Sequence, residues 1–158
     1  MCSLVSMYGP WNEATLNATG LVFKLYRDHM GTVPVDVGGN SPALPPDRPA
    51  VGGAQPRPNA GSPTWPLDVS AALSADGKFL TIAIVNPTES AQDLEIAIQG
   101  AQLRGKGRMW RLTGPNLTAM TGLDRKEVQL TESPMHEVPK MLRVAPISIE
   151  MYEFEKTP

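Results

Sequence analysis

The sequence predicts a mainly β chain, an antiparallel, jelly-roll-like β-sandwich with one helix in front of it. Three observations carry this. Residues 67–100 alternate apolar and polar side chains with period two, which sets one face of an extended chain on a core and the other near water. Residues 12–31 are the one stretch with apolar side chains at helical spacing. Turn residues then separate short apolar runs as far as the C-terminus, which is the profile of a sandwich.

The helix stripe is Leu21, Val22, Leu25 and Tyr26, with Lys24, Arg27 and Asp28 mostly elsewhere. Asn17 or Thr19 can cap its start through a side-chain oxygen, and Gly31 suits a left-handed residue just past its end. Residues 32–37 read as a short strand in which Pro34 is tolerated only at a sheet edge. Residues 38–66 hold eight prolines and five glycines and read as a long surface connector, because Pro lacks an amide proton and Gly resists ordering. Leu67, Val69, Ala71 and Leu73 share one side of the next strand, and Leu80, Ile82 and Ile84 one side of the strand after it. Asp76-Gly77 between them signals a hairpin with positive φ at both turn positions. Leu94, Ile96 and Ile98 repeat the alternation.

Residues 108–112, 127–130, 141–144 and 147–154 supply the later strands, with Gly114-Pro115-Asn116 as a turn. In the last run Ile147, Ile149 and Met151 share a face while Tyr152 and Phe154 have the opposite parity. Either a bulge shifts the face there, or the strand is covered on both sides.

A chain of 158 residues suffices for one domain, or for one domain and a fragment of another. At that size roughly two-thirds of the unfolded surface is buried, so stability requires no disulfide or metal. The net charge of −2 and the lack of a basic stripe argue against nucleic acid as a partner. Cys2 is the single cysteine, so neither an internal disulfide nor a cysteine-rich zinc site is expected. No apolar run approaches the ~20 residues that span a bilayer, so no membrane partner is expected. The first seven residues lack the basic region of a signal peptide, which leaves the compartment open. No cofactor is implied.

Asn12-Glu13 is the most suggestive chemical pair. A glutamate can act as a general acid on a sugar while a neighbouring asparagine bonds a ring hydroxyl. Glycoside hydrolysis needs two carboxyls roughly 5 to 10 Å apart, and no second one is assignable; Asp36 is near in sequence but has no motif around it. The plain reading of Glu13 is an acid in the first helical turn, favoured by the helix dipole. No catalytic residue is therefore assigned.

His29 and His136 lack partners at metal spacing, and His29 falls at the helix end where a cation is favoured. No metal site is expected. Ser90 and Ser148 have no motif around them, and neither Gly38-Gly39 nor Gly52-Gly53 precedes a helix that could make a phosphate cradle. Trp11 and Trp65 are candidate carbohydrate-stacking residues, with packing at a domain boundary as the plain alternative; Trp110 reads as core or sheet edge. Asn17-Ala18-Thr19 and Asn116-Leu117-Thr118 match the glycosylation acceptor pattern, whereas Asn86-Pro87-Thr88 is blocked by its proline.

The order of local phrases resembles the C-terminal end of family 51 α-L-arabinofuranosidases. Lys24-Leu25-Tyr26-Arg27-Asp28-His29-Met30-Gly31 running into Thr32-Val33-Pro34-Val35-Asp36-Val37 is similar to the last helix of that family's (β/α)8 barrel entering its sandwich. Leu67-Asp68-Val69-Ser70-Ala71, Asp76-Gly77-Lys78 and Ile84-Val85-Asn86-Pro87 resemble its central hairpin. Leu112-Thr113-Gly114-Pro115-Asn116-Leu117-Thr118-Ala119 and Val144-Ala145-Pro146-Ile147-Ser148, followed by Tyr152-Glu153-Phe154, resemble its later strands.

The resemblance covers nearly the whole chain. It implies that residues 1–31 end a catalytic barrel and that residues 32–158 form the C-terminal sandwich of a retaining hydrolase that releases arabinofuranose from arabinan and arabinoxylan. The family's two catalytic glutamates lie on barrel strands ahead of this region, and its sandwich borrows strands from the N-terminal end of the full protein. The implied partners are thus a barrel segment or chain of the same enzyme, an arabinose-containing polysaccharide through that enzyme, and further copies of the chain. Asn12-Glu13 looks like half of the family's acid/base motif but stands in the wrong place. The insertion at 38–66 is a second departure. The rival readings are a carbohydrate-binding sandwich with Trp65 at its site, and a general oligomer interface.

Overall fold

The structure, a computed structural model, describes residues 4–8, 13–41, 63–122 and 125–157. Ten strands and one helix succeed one another among them: β1 (Val5–Tyr8), β2 (Glu13–Leu16), α1 (Ala18–His29), β3 (Val33–Val35), β4 (Asp68–Leu73), β5 (Phe79–Asn86), β6 (Gln92–Glu95), β7 (Leu103–Thr113), β8 (Gln129–Met135), β9 (Met141–Val144) and β10 (Ser148–Lys156). The main sheet has the order β3-β4-β5-β10-β7-β8 and is antiparallel throughout. β6 and β9 pair as a second, two-stranded sheet, and β1 and β2 as a separate hairpin. The fold is the mainly β, antiparallel sandwich with a single described helix that the sequence predicts.

The helix is shorter than its sequence reading. Residues 13–16 pair antiparallel with β1, from Val5↔Leu16 to Tyr8↔Glu13, so Glu13 is a strand residue and not a first-turn acid. Asn17 sets the boundary: its Oδ1 accepts from Gly20 N at 2.9 Å, closing the first turn, while Thr19 takes no part in the cap. The helix ends on Met30 in an extended conformation, with its N–H donating to Tyr26 O at 3.0 Å. Gly31 is therefore not the left-handed terminator. It matters by close approach, since a Cβ there would lie 2.5 Å from Leu73 O. Thr32 N donates to that same carbonyl at 2.9 Å and starts β3.

β10 is central and covered on both sides, which settles the parity question without a bulge between Ile149 and Phe154. On one face Leu80, Ile82, Ile84, Tyr152 and Phe154 pack with Leu142 and Val144 of the small sheet. On the other, Ala83, Trp110, Leu112 and Met151 pack against Leu25 of the helix. Thr81 Oγ1 donates to His29 O at 3.2 Å, and the His29 ring stacks on Trp110 at 3.9 Å, so the helix C-terminus is pinned to this second face.

Other boundaries move. β6 stops at Glu95; Ile96 and Ile98 leave the ladder yet still pack on the core, with Ile96 N bonded to Lys140 O at 2.9 Å. β8 runs well beyond the predicted 127–130, through Pro134. Pro34 and Pro134 both lie in outermost strands of the main sheet, where a missing amide proton breaks no ladder.

The hairpin turn is longer than a two-residue loop. Ser74 N and Gly77 N close it with bonds of 2.9 Å to Phe79 O and Ser74 O, and only Gly77 has positive φ, at +70°. Asp76 organises it: Oδ1 accepts from Ser74 Oγ at 2.7 Å and Lys78 N at 3.1 Å, and Oδ2 pairs with Lys78 Nζ at 3.1 Å. The Ser74 hydroxyl, then the Lys78 amide and ammonium, hold this carboxyl at a pKa of about 2, below its ordinary 3.8. A carboxyl depressed in the folded state stabilises it above the unfolded pKa and ceases to do so as pH falls through the folded one. Acid titration of the unfolding midpoint between pH 4 and 2 is expected to show this loss, and Asp76→Asn is expected to flatten that part of the curve while lowering stability at neutral pH.

Candidate functional site

The structure scatters the residues that the sequence singles out. Trp11 and Asn12 lie outside the described residues, as do residues 42–62 of the proline-rich connector. Glu13 sits opposite Tyr8 in the β1–β2 hairpin, which belongs to neither sheet of the sandwich. Trp65 is half-buried in the turn before β4, its carbonyl accepting from Ser41 Oγ. Trp110 is core, 3% exposed. His136 is exposed just after β8, while His29 stacks on Trp110. Ser148 is buried and donates to Ala145 O at 2.7 Å. Among the described residues no group of His, Cys, Asp or Glu side chains could hold a metal, and no helix is long and apolar enough to cross a membrane.

Two adjoining grooves mark the place where the sandwich is open. One, of about 480 Å³, is floored by Val69, Ala71, Leu80 and Ile82 of the main sheet and roofed by Leu94, Ile96 and Ile98. It exists because the main sheet has six strands and the sheet facing it has two. The other, of about 1110 Å³, runs outward past Trp65 and is bordered by Asp36, Gln92, Asp93, Glu95 and Met141. Asp36 and Glu95 are exposed there, and Asp93 is engaged by Arg143 at 3.2 Å. Trp65 and Asp36 thus meet on one groove, a juxtaposition that linear spacing does not reveal.

The sequence reading missed the one acid that is deeply buried among the described residues. Glu150 is fully buried and accepts from Arg111 Nε at 2.7 Å, from Ala145 N at 2.9 Å and from the Tyr152 hydroxyl. Arg111 is its direct cross-strand neighbour on β7. Burial first, and then the hydrogen bond and negative charge of Glu150, push the Tyr152 phenol far up, so it stays a donor. Asn86 extends this corner: Nδ2 donates to Ser90 O at 2.9 Å and to Ala145 O at 2.8 Å, while Oδ1 accepts from Thr88 N at 3.0 Å.

The network ties the β5–β6 connection to the β9–β10 connection. All its polar atoms are satisfied, and among the described residues no second carboxylate enters it. Its chemistry is positional: it holds chain ends and presents no acid to a substrate. The even parity of Glu150 with Tyr152 and Phe154 is the signal that could have found it. Glu150→Ala is expected to lower unfolding free energy by about 3 kcal/mol, the low end for breaking a buried pair, because Arg111 keeps 33% of its side chain in water. Denaturant titration checks this.

No protein-family model matches the sequence, and no curated protein does either. Solved structures do. An arabinofuranosidase crystal structure superposes on 96% of the chain with a TM-score of 0.70 at 23% identity. The family 51 α-L-arabinofuranosidase of Thermotoga petrophila RKU-1 superposes on 90% with a TM-score of 0.63 at 20% identity. A β-porphyranase of glycoside hydrolase family 86 from Bacteroides plebeius superposes on 98% with a TM-score of 0.62 at 16% identity. The chain spans 31%, 30% and 22% of these three proteins, respectively. At such identities the likeness is one of fold, and it establishes that the chain has the β-sandwich fold seen in family 51 arabinofuranosidases.

Proposed function

We propose that this chain is the C-terminal sandwich portion of an arabinofuranosidase-like glycoside hydrolase, serving as scaffold and interface without a catalytic dyad of its own. In this reading residues 1–31 end the catalytic barrel and residues 32–158 form the sandwich. The unfinished second sheet carries the proposal. Two strands facing six leave an apolar groove of about 480 Å³ lined by Val69, Ile82, Leu94 and Ile96, a form that makes sense if another segment of the same enzyme completes it. An extended segment laid beside β6 would pair its free edge and cover those side chains in one step. The near-complete superposition on arabinofuranosidases about three times as long supports the same parentage. Arabinan or arabinoxylan would meet the assembled enzyme.

The purified chain is accordingly expected to release no arabinose from arabinan or from a chromogenic α-L-arabinofuranoside. Turnover that disappears in Glu13→Gln would overturn the proposal. Deprived of the completing segment, the chain is expected to associate with itself through the open groove. Sedimentation at several concentrations should show this association, and Ile96→Lys should weaken it. A monomer at all concentrations argues against the groove as an interface.

The larger groove favours a second reading, in which Trp65 stacks on a neutral sugar held by Asp36, Gln92 and Glu95. Retention of the chain by arabinan or xylan in an affinity gel, lost in Trp65→Ala, would support it. Absence of retention removes it.

A further inference from the structure

Three asparagines of this chain stand before a residue followed by threonine, and the structure gives each a different fate. Asn86 is buried, 1% exposed, and spends its Nδ2 on Ser90 and Ala145 carbonyls; Pro87 also bars it. Asn17 is the helix cap, with Oδ1 tied to Gly20 N. Its surroundings are tight, for Gly20 has Leu4 O so close that a Cβ would lie 2.1 Å from it. A glycan on Asn17 would have to displace the β1–β2 hairpin from the first turn of the helix.

Asn116 is different. It lies exposed in the loop after β7, beside Leu117, which is 67% exposed, and Thr118, also exposed. Its Oδ1 accepts both from Thr118 N at 2.9 Å and from Thr118 Oγ1 at 2.8 Å. The acceptor triplet is thereby folded on itself, with asparagine and threonine side chains in contact and Nδ2 bonded to no described residue. Nearby, Met120 is 56% exposed although Arg125 Nη1 donates to its Sδ at 3.6 Å, so the loop tip carries apolar surface beside Leu117. A bulky polar group on Asn116 would shelter that tip and disturb neither sheet.

We infer that Asn116 is the N-glycosylation acceptor of this chain and that Asn17 and Asn86 are not. The step is a group transfer from a lipid-diphosphate-linked oligosaccharide, supplied by the compartment that holds the transferase. Asn116 Nδ2 forms a bond to the anomeric carbon, the bond from that carbon to the diphosphate oxygen breaks, the lipid diphosphate leaves, and Nδ2 gives up one proton. The site stands at the β7–β8 end of the main sheet and not on the grooves beside β6, so it is independent of the scaffold proposal.

The test is expression of the full chain behind a secretion leader in eukaryotic cells, with intact mass measured before and after enzymatic removal of N-glycans. One glycan is expected on the secreted protein. It should be lost in Asn116→Gln and in Thr118→Ala, and retained in Asn17→Gln and Thr118→Ser. A secreted chain without glycan, or a glycan that survives Asn116→Gln, overturns the inference. If Asn116→Gln were poorly secreted, Thr118→Ala, which keeps the asparagine, decides the same question by the loss or survival of the mass shift.

Discussion

The sandwich depends on a central strand that has no free face. β10 is flanked by β5 and β7, and its alternate side chains enter two separate cores. Phe154 and Met151 are both 0% exposed although they point in opposite directions. Burial of side chains of this size is worth about 1.5–3 kcal/mol each, so the strand contributes on both sides of the sheet at once. That double commitment determines what must surround it. One face requires the small sheet, which supplies Leu142 and Val144, and the other requires the helix, which supplies Leu25. The helix is thus a packing element of the described fold, and its docking explains why its C-terminal turn is fixed by Thr81 and Trp110.

A polar residue in such a strand needs complete satisfaction, and Glu150 receives it. A buried carboxylate without partners would cost several kcal/mol, whereas three donors, one of them a cross-strand guanidinium, make it a directional device. It specifies where the chain leaving β9 must cross before β10 begins. Apolar packing alone tolerates sliding and repacking, while a carboxylate that must meet Arg111, Tyr152 and the Ala145 amide admits one register. Asn86 repeats the logic from the neighbouring strand, so the corner where the two sheets join is defined by hydrogen bonds while the middle of the sandwich is defined by volume.

The strands that bury alternating aliphatics were legible from residue order alone. β4, β5 and β9 fall close to where period two places them, although only β9 alternates a water-facing with a core-facing side, and β5 is buried on both faces. What escaped had its signal in partners remote in sequence. The segment 13–16 looks like the approach to a helix until β1 is there to pair with it. β8 reads as polar through Thr131, Glu132 and Ser133 because it is an edge strand with one neighbour, and edges carry little apolar pattern. The role of Gly31 lies in its approach to Leu73, about forty residues away, which no local rule describes. Of the candidate site, Trp65 and Asp36 were individually visible, but only folding brings them to one groove.

The edges of the two sheets also differ in a way that bears on function. Pro34 and Pro134 blunt the two outer strands of the main sheet, so neither is a good template for further pairing. β6, with the sequence Gln92-Asp93-Leu94-Glu95, carries no proline and borders the apolar groove. Among the described residues, β6 thus lies beside half-buried aliphatics on an edge that no proline blunts. Of the acids among the described residues, Glu150 is sealed in its corner, while Asp36 and Glu95 stand exposed on the rim of the grooves. Glycoside hydrolysis needs two carboxyls flanking the scissile bond, and the buried carboxyl of the described fold, Glu150, is instead enclosed by Arg111, Tyr152 and the Ala145 amide. The hydrogen-bonding precision of the described fold therefore goes into fixing how its two sheets join.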